Sequence, residues 1–183
     1  DAYPSQLRTR VNKSAANLLL ARVYLYQGEW NKAFEAAEIT ISNPIYVLEE
    51  LDKVFYAEST STVLSLRTLN DAASTFESQI YFFETLPPPN VALANNFIDV
   101  FSNGDLRKSL WVSEVSNSNE TFYRASKYKR RTAAQPLEFS VILRIEEAYL
   151  IAAEASVRIG NFDDAELYFN TIHTRVGLNA FSS

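Results

Sequence analysis

Residues 14–37 read SAANLLLARVYLYQGEWNKAFEAA, and residues 146–169 read EEAYLIAAEASVRIGNFDDAELYF. Set against each other at a separation of 132 positions, the two stretches share one grammar. Ala16 matches Ala148, Leu18 matches Leu150, Ala21 matches Ala153, Gly28 matches Gly160, Trp30 matches Phe162 and Ala33 matches Ala165. Two antiparallel helices that pack closely require such a unit. Small side chains let the axes approach where they cross, and a glycine ends the first helix at a tight turn. Asn12 to Ser14 supply N-cap residues for the first helix, and Ser42-Asn43-Pro44 stops the second. Within the first helix, Leu18 to Tyr26 carries a single charge, Arg22, which predicts burial on more than one side. In the later copy, Ser140 precedes a helix expected over VILRIEEAYLIAAEASVRI, Gly160 ends it, and Asn161 caps the next.

The repeated unit has the pattern of a tetratricopeptide motif, with a small residue in the first helix, glycine in the turn, an aromatic after it and alanine at the crossing. The copies are not tandem, because a long insertion separates them. The expected fold is mainly α: a tetratricopeptide-like α-α superhelix interrupted by an irregular, loop-rich insertion with minor β. It is read as a single domain, 1–183, with helix pairs at 13–43 and 141–176 and the insertion at 45–140. Residues 1–12 form a polar lead with an early Pro4. Within the insertion IYVL, VFYA, TVLSLR and QIYFFETL suggest strand or extended chain, and Pro87-Pro88-Pro89 a rigid extended break. NNFIDVF suggests a short helix, SNSNE a polar turn, and TFYRASKYKRR a strand.

Composition removes many function classes. The 183 residues contain no cysteine, one histidine and four glycines, the closest pair of which lie 17 positions apart. Thiolate metal sites, multi-histidine sites, thiol nucleophiles, dinucleotide fingerprints and P-loops are therefore impossible. A net charge of −5 argues against broad nucleic-acid binding, which needs a basic face. No stretch reaches the 18 or so uncharged apolar residues of a membrane span. Hydrophobic residues at 47% and charged residues at 21% mark a globular chain.

No catalytic constellation is evident, and no metal or cofactor site is expected. His173 sits mid-helix near Arg175 with no nucleophile at triad spacing. Glu147 and Glu154 are seven apart on one helix face and could form a carboxylate pair, although pairing with arginine, Arg22 among them, is the better reading. Asp99 and Asp105 lack the surrounding loop of a calcium site. The basic run Arg124, Lys127, Lys129, Arg130 and Arg131, with tyrosines interleaved, could hold an anionic ligand or a nucleic acid, but with the overall charge of −5 it reads better as a solvated strand or loop. Trp111, Tyr123 and Tyr128 lie off the helical repeats. They are the candidate ligand-binding residues, since flat rings bury the apolar faces of sugars; burial under the insertion is the competing reading.

The order of these pieces resembles the SusD/RagB family of Bacteroidetes outer-membrane nutrient-binding lipoproteins. RVNKSAANLLLARVYLYQGEWNKAFEAAEITISNPIYVL is similar to the family's alanine-rich helix pair. NNFIDVFSNGDLRKSLWV resembles its aspartate-x-arginine segment, here Asp105 and Arg107, and YRASKYKR its lysine-bearing strand. The last helix pair resembles the family signature at Arg144, Glu147, Leu150, Ala153, Glu154, Ala155, Asn170, Ile172, Arg175 and Gly177, with His173 where the family often has arginine. Family members are usually much longer. The resemblance therefore implies that this chain is an internal piece, lacking the lipid-bearing N-terminal cysteine and the usual C-terminal stretch.

The resemblance implies a non-enzymatic protein on the extracellular face of the outer membrane. It would capture an oligosaccharide, polysaccharide or other nutrient for uptake through a SusC-like TonB-dependent transporter. Neither a cofactor nor a nucleic acid is implied, and membrane attachment would come only from a lipid anchor absent from this chain. Two other classes stand beside it. A tetratricopeptide adapter for peptides would call for tandem repeats and a polar concave groove. A carbohydrate-active enzyme would call for two carboxylates facing each other across a cleft.

Overall fold

Asn12 opens the first helix by accepting the amide N–H of Ala15 on its side-chain oxygen at 2.9 Å. The computed structural model describes residues 3, 7–68, 74–131 and 136–182; Pro4 lies outside them. Helix α1 spans Lys13–Gln27 and ends at Gly28, whose amide and that of Glu29 return to the carbonyls of Leu25 and Tyr24. Helix α2 spans Trp30–Ile41. The later copy repeats this construction as α5, Ile145–Ile159, and α6, Phe162–His173, with Gly160 in the left-handed conformation between them. Asn161 caps α6 through the Asp164 amide.

The two helix pairs meet through α2 and α5. Their contact is built from small residues: Ala33, Ala36, Ala37 and Thr40 on α2, Ala148, Ala152 and Ala155 on α5, with Ala15, Leu18 and Ala21 of α1 closing the same core. Alanine at these positions lets helix axes come close enough for backbone to contribute to the packing. Polar ties cross the layers. Arg22 of α1 forks onto Glu147 of α5 at 2.5 and 2.7 Å, and the Tyr168 hydroxyl of α6 donates to Glu38 of α2 at 2.7 Å.

Several sequence expectations change. Only one face of α1 is covered within the described residues: Leu18 and Ala21 are buried, whereas Leu19 is 50% exposed and Tyr26 86%. An apolar helix is buried only on the sides where a neighbour lies, and here its contacts are mainly with α2 and α5, with a few to the strands at Thr62–Leu66 and Ser140–Arg144. The expected helix at 141 begins instead at Ile145, because Ser140–Arg144 forms strand β4. Val141 and Ile142 are β-branched, and β4 pairs antiparallel with β1, Thr62–Leu66, placing Ser65 opposite Val141. QIYFFETL is not extended throughout. Thr75 accepts the Ser78 amide, and helix α3 runs over Phe76–Tyr81.

The insertion contains the sheet and helix pieces that carry the rest of the argument. NNFIDV forms a 3-10 turn at Asn95–Val100. Helix α4, Leu106–Trp111, is capped by Asp105 and runs directly into β2, Val112–Ser116. A polar turn in which Asn117 accepts the amides of Asn119 and Glu120 joins β2 to β3, Thr121–Ala125. Only the TFYRA part of the basic stretch is a strand. Lys129 and Arg130 lie beyond it and lend their amides to the buried carboxylate of Glu138 at 2.9 Å. IYVL and VFYA join no strand ladder apart from a single bridge between Tyr56 and Glu138. The chain bends through the three prolines, with Leu86–Pro87 cis.

Candidate functional site

Helix α4 brings its last residue, Trp111, into the lining of a cavity of about 420 Å³. That volume lies within the roughly 300–1,000 Å³ usual for small-ligand pockets. The indole is half-buried. One edge meets the Phe55 ring at 5.5 Å in a T-shaped contact, and Nε1–H donates to the Leu51 carbonyl at 2.9 Å. With its donor satisfied internally, Trp111 offers the cavity an apolar surface rather than a hydrogen bond.

The opposite walls come from three separate segments. Helix α3 contributes Glu77 and Tyr81, four residues apart and so on one helix face. The 3-10 turn contributes Phe97, which stands at 90° to Phe101 with centroids 5.5 Å apart. The chain after β3 contributes Lys127 and Tyr128. The Tyr128 hydroxyl accepts the Val141 amide at 2.9 Å, and its ring lies 5.1 Å from Phe55. Burial pushes the Tyr128 pKa up to about 12, so the ring stays neutral and its hydroxyl protonated at any ordinary pH.

The charged groups of the cavity are unequally matched. Asp105, its side chain almost fully buried, receives Arg107 as a fork at 2.6–3.2 Å; that hydrogen bonding holds the Asp105 carboxyl below its usual range against the opposing pull of burial. Glu77 accepts the Ser140 hydroxyl at 2.7 Å. Lys127 places its ammonium 5.3 Å from the Trp111 ring and 5.7 Å from Phe55.

Of the three aromatics singled out in the sequence, the structure brings Trp111 and Tyr128 to one cavity. Tyr123 is on β3, opposite Glu114, where its carbonyl accepts the Leu93 amide; it is not part of this lining. Tyr81, Phe97 and Phe101 were not singled out, although the four-residue spacing of the two phenylalanines was a usable signal. The basic run is not uniformly solvated. Arg124 donates to the Phe83 carbonyl, and its guanidinium lies 4.0 Å from the Phe82 ring, with that of Arg131 at 4.5 Å.

The other polar candidates have structural partners. Glu147 is engaged by Arg22, and Glu154 lies 3.9 Å from Arg158. His173 stacks on Phe169 at 4.8 Å. Among the described residues no group of three or more acidic or histidine side chains could hold a metal ion, and no helix is long and apolar enough to cross a membrane.

Comparison with known proteins supplies a context for this geometry. A model of the SusD family matches residues 69–183. No curated protein matches the sequence. Among solved structures, a SusD-like carbohydrate binding protein from Bacteroides vulgatus superposes with a TM-score of 0.75 at 20% identity, covering 100% of this chain and 41% of its own. A SusD superfamily protein from Bacteroides thetaiotaomicron gives 0.78 at 24% identity, with coverages of 97% and 45%. Surface glycan-binding protein A from Bacteroides uniformis gives 0.71 at 18%, with 94% and 44%. These similarities establish a shared fold, and this chain spans less than half the length of each of those proteins.

Proposed function

This chain belongs to the SusD family, and on that premise we propose that it is part of a non-enzymatic, carbohydrate-binding protein of the cell surface. The observation that carries the reading is the cavity lined by Trp111. A half-buried indole without a free donor, ringed by Tyr81, Phe97 and Tyr128, suits the C–H faces of a sugar ring. The names of the two glycan- and carbohydrate-binding structural neighbours support the same class of ligand. The engagement of Glu147 by Arg22 supports binding rather than hydrolysis, since a carboxylate held in a bidentate ion pair is poorly placed to act as general acid or nucleophile.

In this reading the whole protein is lipid-anchored on the outer face of the outer membrane and hands its ligand to a SusC-like TonB-dependent transporter. The direct test is titration calorimetry of the full-length protein against a glycan panel, repeated with Trp111→Ala. Binding by the natural protein and its loss in a folded variant are the expected results. A folded full-length protein that binds no glycan overturns the reading, and unchanged affinity in Trp111→Ala moves the site away from this cavity. Co-purification of the full-length protein with a transporter of that type tests the partnership.

A further inference from the structure

We infer that the sugar taken by this cavity carries an anionic substituent, a carboxylate or a sulfate, which Lys127 receives at the cavity mouth. The inference rests on the carbohydrate reading above and names the class of ligand.

The polar groups that line the cavity, and the arginines behind it, sort by whether they are already matched. Arg107 is satisfied by Asp105, and Glu77 by Ser140. Arg144, whose guanidinium carbon lies 5.6 Å from the Phe55 ring, approaches the buried Glu146 at 3.9 Å, and Arg175 approaches the same carboxylate at 3.3 Å. Lys127 forms no ion pair among the described residues. Its nearest recorded partners are the faces of Trp111 and Phe55. The residue nevertheless remains open to solvent on one side.

The guanidinium groups of Arg107 and Arg144 act on that ammonium, each beside its own carboxylate, Asp105 and Glu146, while Glu77 shares the cavity lining. Partial loss of solvent lowers the Lys127 pKa, and repulsion from Arg144 and Arg107 adds to it in smaller measure. Its ammonium lies beside the Trp111 ring, on the wall where a ligand would stack. An incoming anion would supply the charged partner that the ammonium has nowhere among the described residues, through a charge-assisted hydrogen bond. The aromatic rings contribute affinity for any sugar, whereas Lys127 discriminates between charged and neutral ones.

The test uses the full-length protein and matched probes: oligogalacturonate beside its methyl ester, and a sulfated galactan oligosaccharide beside the unsulfated one. Calorimetry at low ionic strength should show one charged member bound about tenfold more tightly than its neutral partner. The preference should shrink as salt is raised. Lys127→Met should abolish it, and Lys127→Arg should retain it. The two pairs distinguish carboxylate from sulfate. Equal affinity for charged and neutral members overturns the inference and leaves the carbohydrate reading standing, as does a salt-independent preference in the natural protein, whatever the stability of the variants. Failure of every saccharide to bind overturns both.

Discussion

Replacing Gly177 by alanine should damage both stability and ligand binding, whereas replacing Gly160 should damage stability alone. Both glycines have positive φ, +87° and +81°, so an added Cβ is strained at either place by about 1–2 kcal/mol. The reduced entropy of the unfolded chain returns about 0.4–1 kcal/mol in each case. Their surroundings differ. Nothing lies within 4 Å of a Cβ built at Gly160, whereas one built at Gly177 would sit 2.7 Å from the Gly104 carbonyl oxygen and 3.0 Å from Leu106 Cγ. Backbone cannot rotate out of the way as a side chain can, so Gly177→Ala carries an overpacking cost of about 1–3 kcal/mol that Gly160→Ala escapes. The affected backbone immediately precedes Asp105, the cap of α4, and α4 ends at Trp111. Relief of the clash therefore displaces the helix that delivers the indole to the cavity. Urea denaturation should show the two variants separated by about 1–3 kcal/mol. Calorimetry against the bound glycan should show weakened binding only for Gly177→Ala. Equal stabilities for the two variants would refute the close-approach argument, and full affinity in Gly177→Ala would refute the mechanical link to the cavity.

Three further outcomes can be measured on the same protein. Trp111→Ala should cost less stability than the 3–5 kcal/mol of a fully buried tryptophan, since the ring is half-exposed to the cavity, and a melt showing the full loss would make it a core residue. A double-mutant cycle of Arg22→Ala with Glu147→Ala should give a coupling of about 0.2–1 kcal/mol that declines with salt, because both side chains remain partly exposed; zero coupling at low salt would show the fork to be unimportant. Asp105 has its pKa lowered by Arg107, so its contribution is complete above about pH 4 and drains away as pH falls toward the folded value. Asp105→Asn should accordingly flatten the loss of stability in that acid range, and an unchanged acid profile would contradict it.

The helix pairs were legible because their signals are local. Gly28 and Gly160 end α1 and α5, Trp30 and Phe162 start α2 and α6, and Ala33 and Ala165 are both buried at the crossings. The repeat is not exact in its surroundings: Leu18 is fully buried, but its counterpart Leu150 is 45% exposed. Identical local grammar fixes a helix hairpin without fixing which neighbours cover it. The errors share that cause. VILR reads as the start of a helix until β1, some 75 positions earlier, offers it a ladder. LLLARVYLY reads as buried on several sides because composition records how apolar a helix is and not where its partners lie. Trp111 and Tyr128 stood out by residue type, while Lys127 looked like one solvated charge in a basic run. Its distinction comes from contact with rings 16 and 72 positions away in the chain.

Those distant contacts also explain how an irregular insertion can hold a defined cavity. Loops by themselves position side chains poorly, because each added residue increases the number of states that must be frozen out. Here the insertion is tied at separated points to ordered elements. Arg175, just beyond α6, donates to the Glu49 carbonyl, and Trp111 donates to the Leu51 carbonyl two residues along the same segment. Gly177 touches Gly104 at the base of α4, while Tyr128 accepts from β4, which continues directly into α5. The segment at 49–51 is thus held from one side by the second helix pair and from the other by the cavity wall. A perturbation at the end of α6 reaches the indole through two contacts, without passing along the intervening chain. The helix pairs accordingly act as the rigid reference for the site, although the cavity lining is drawn from the insertion.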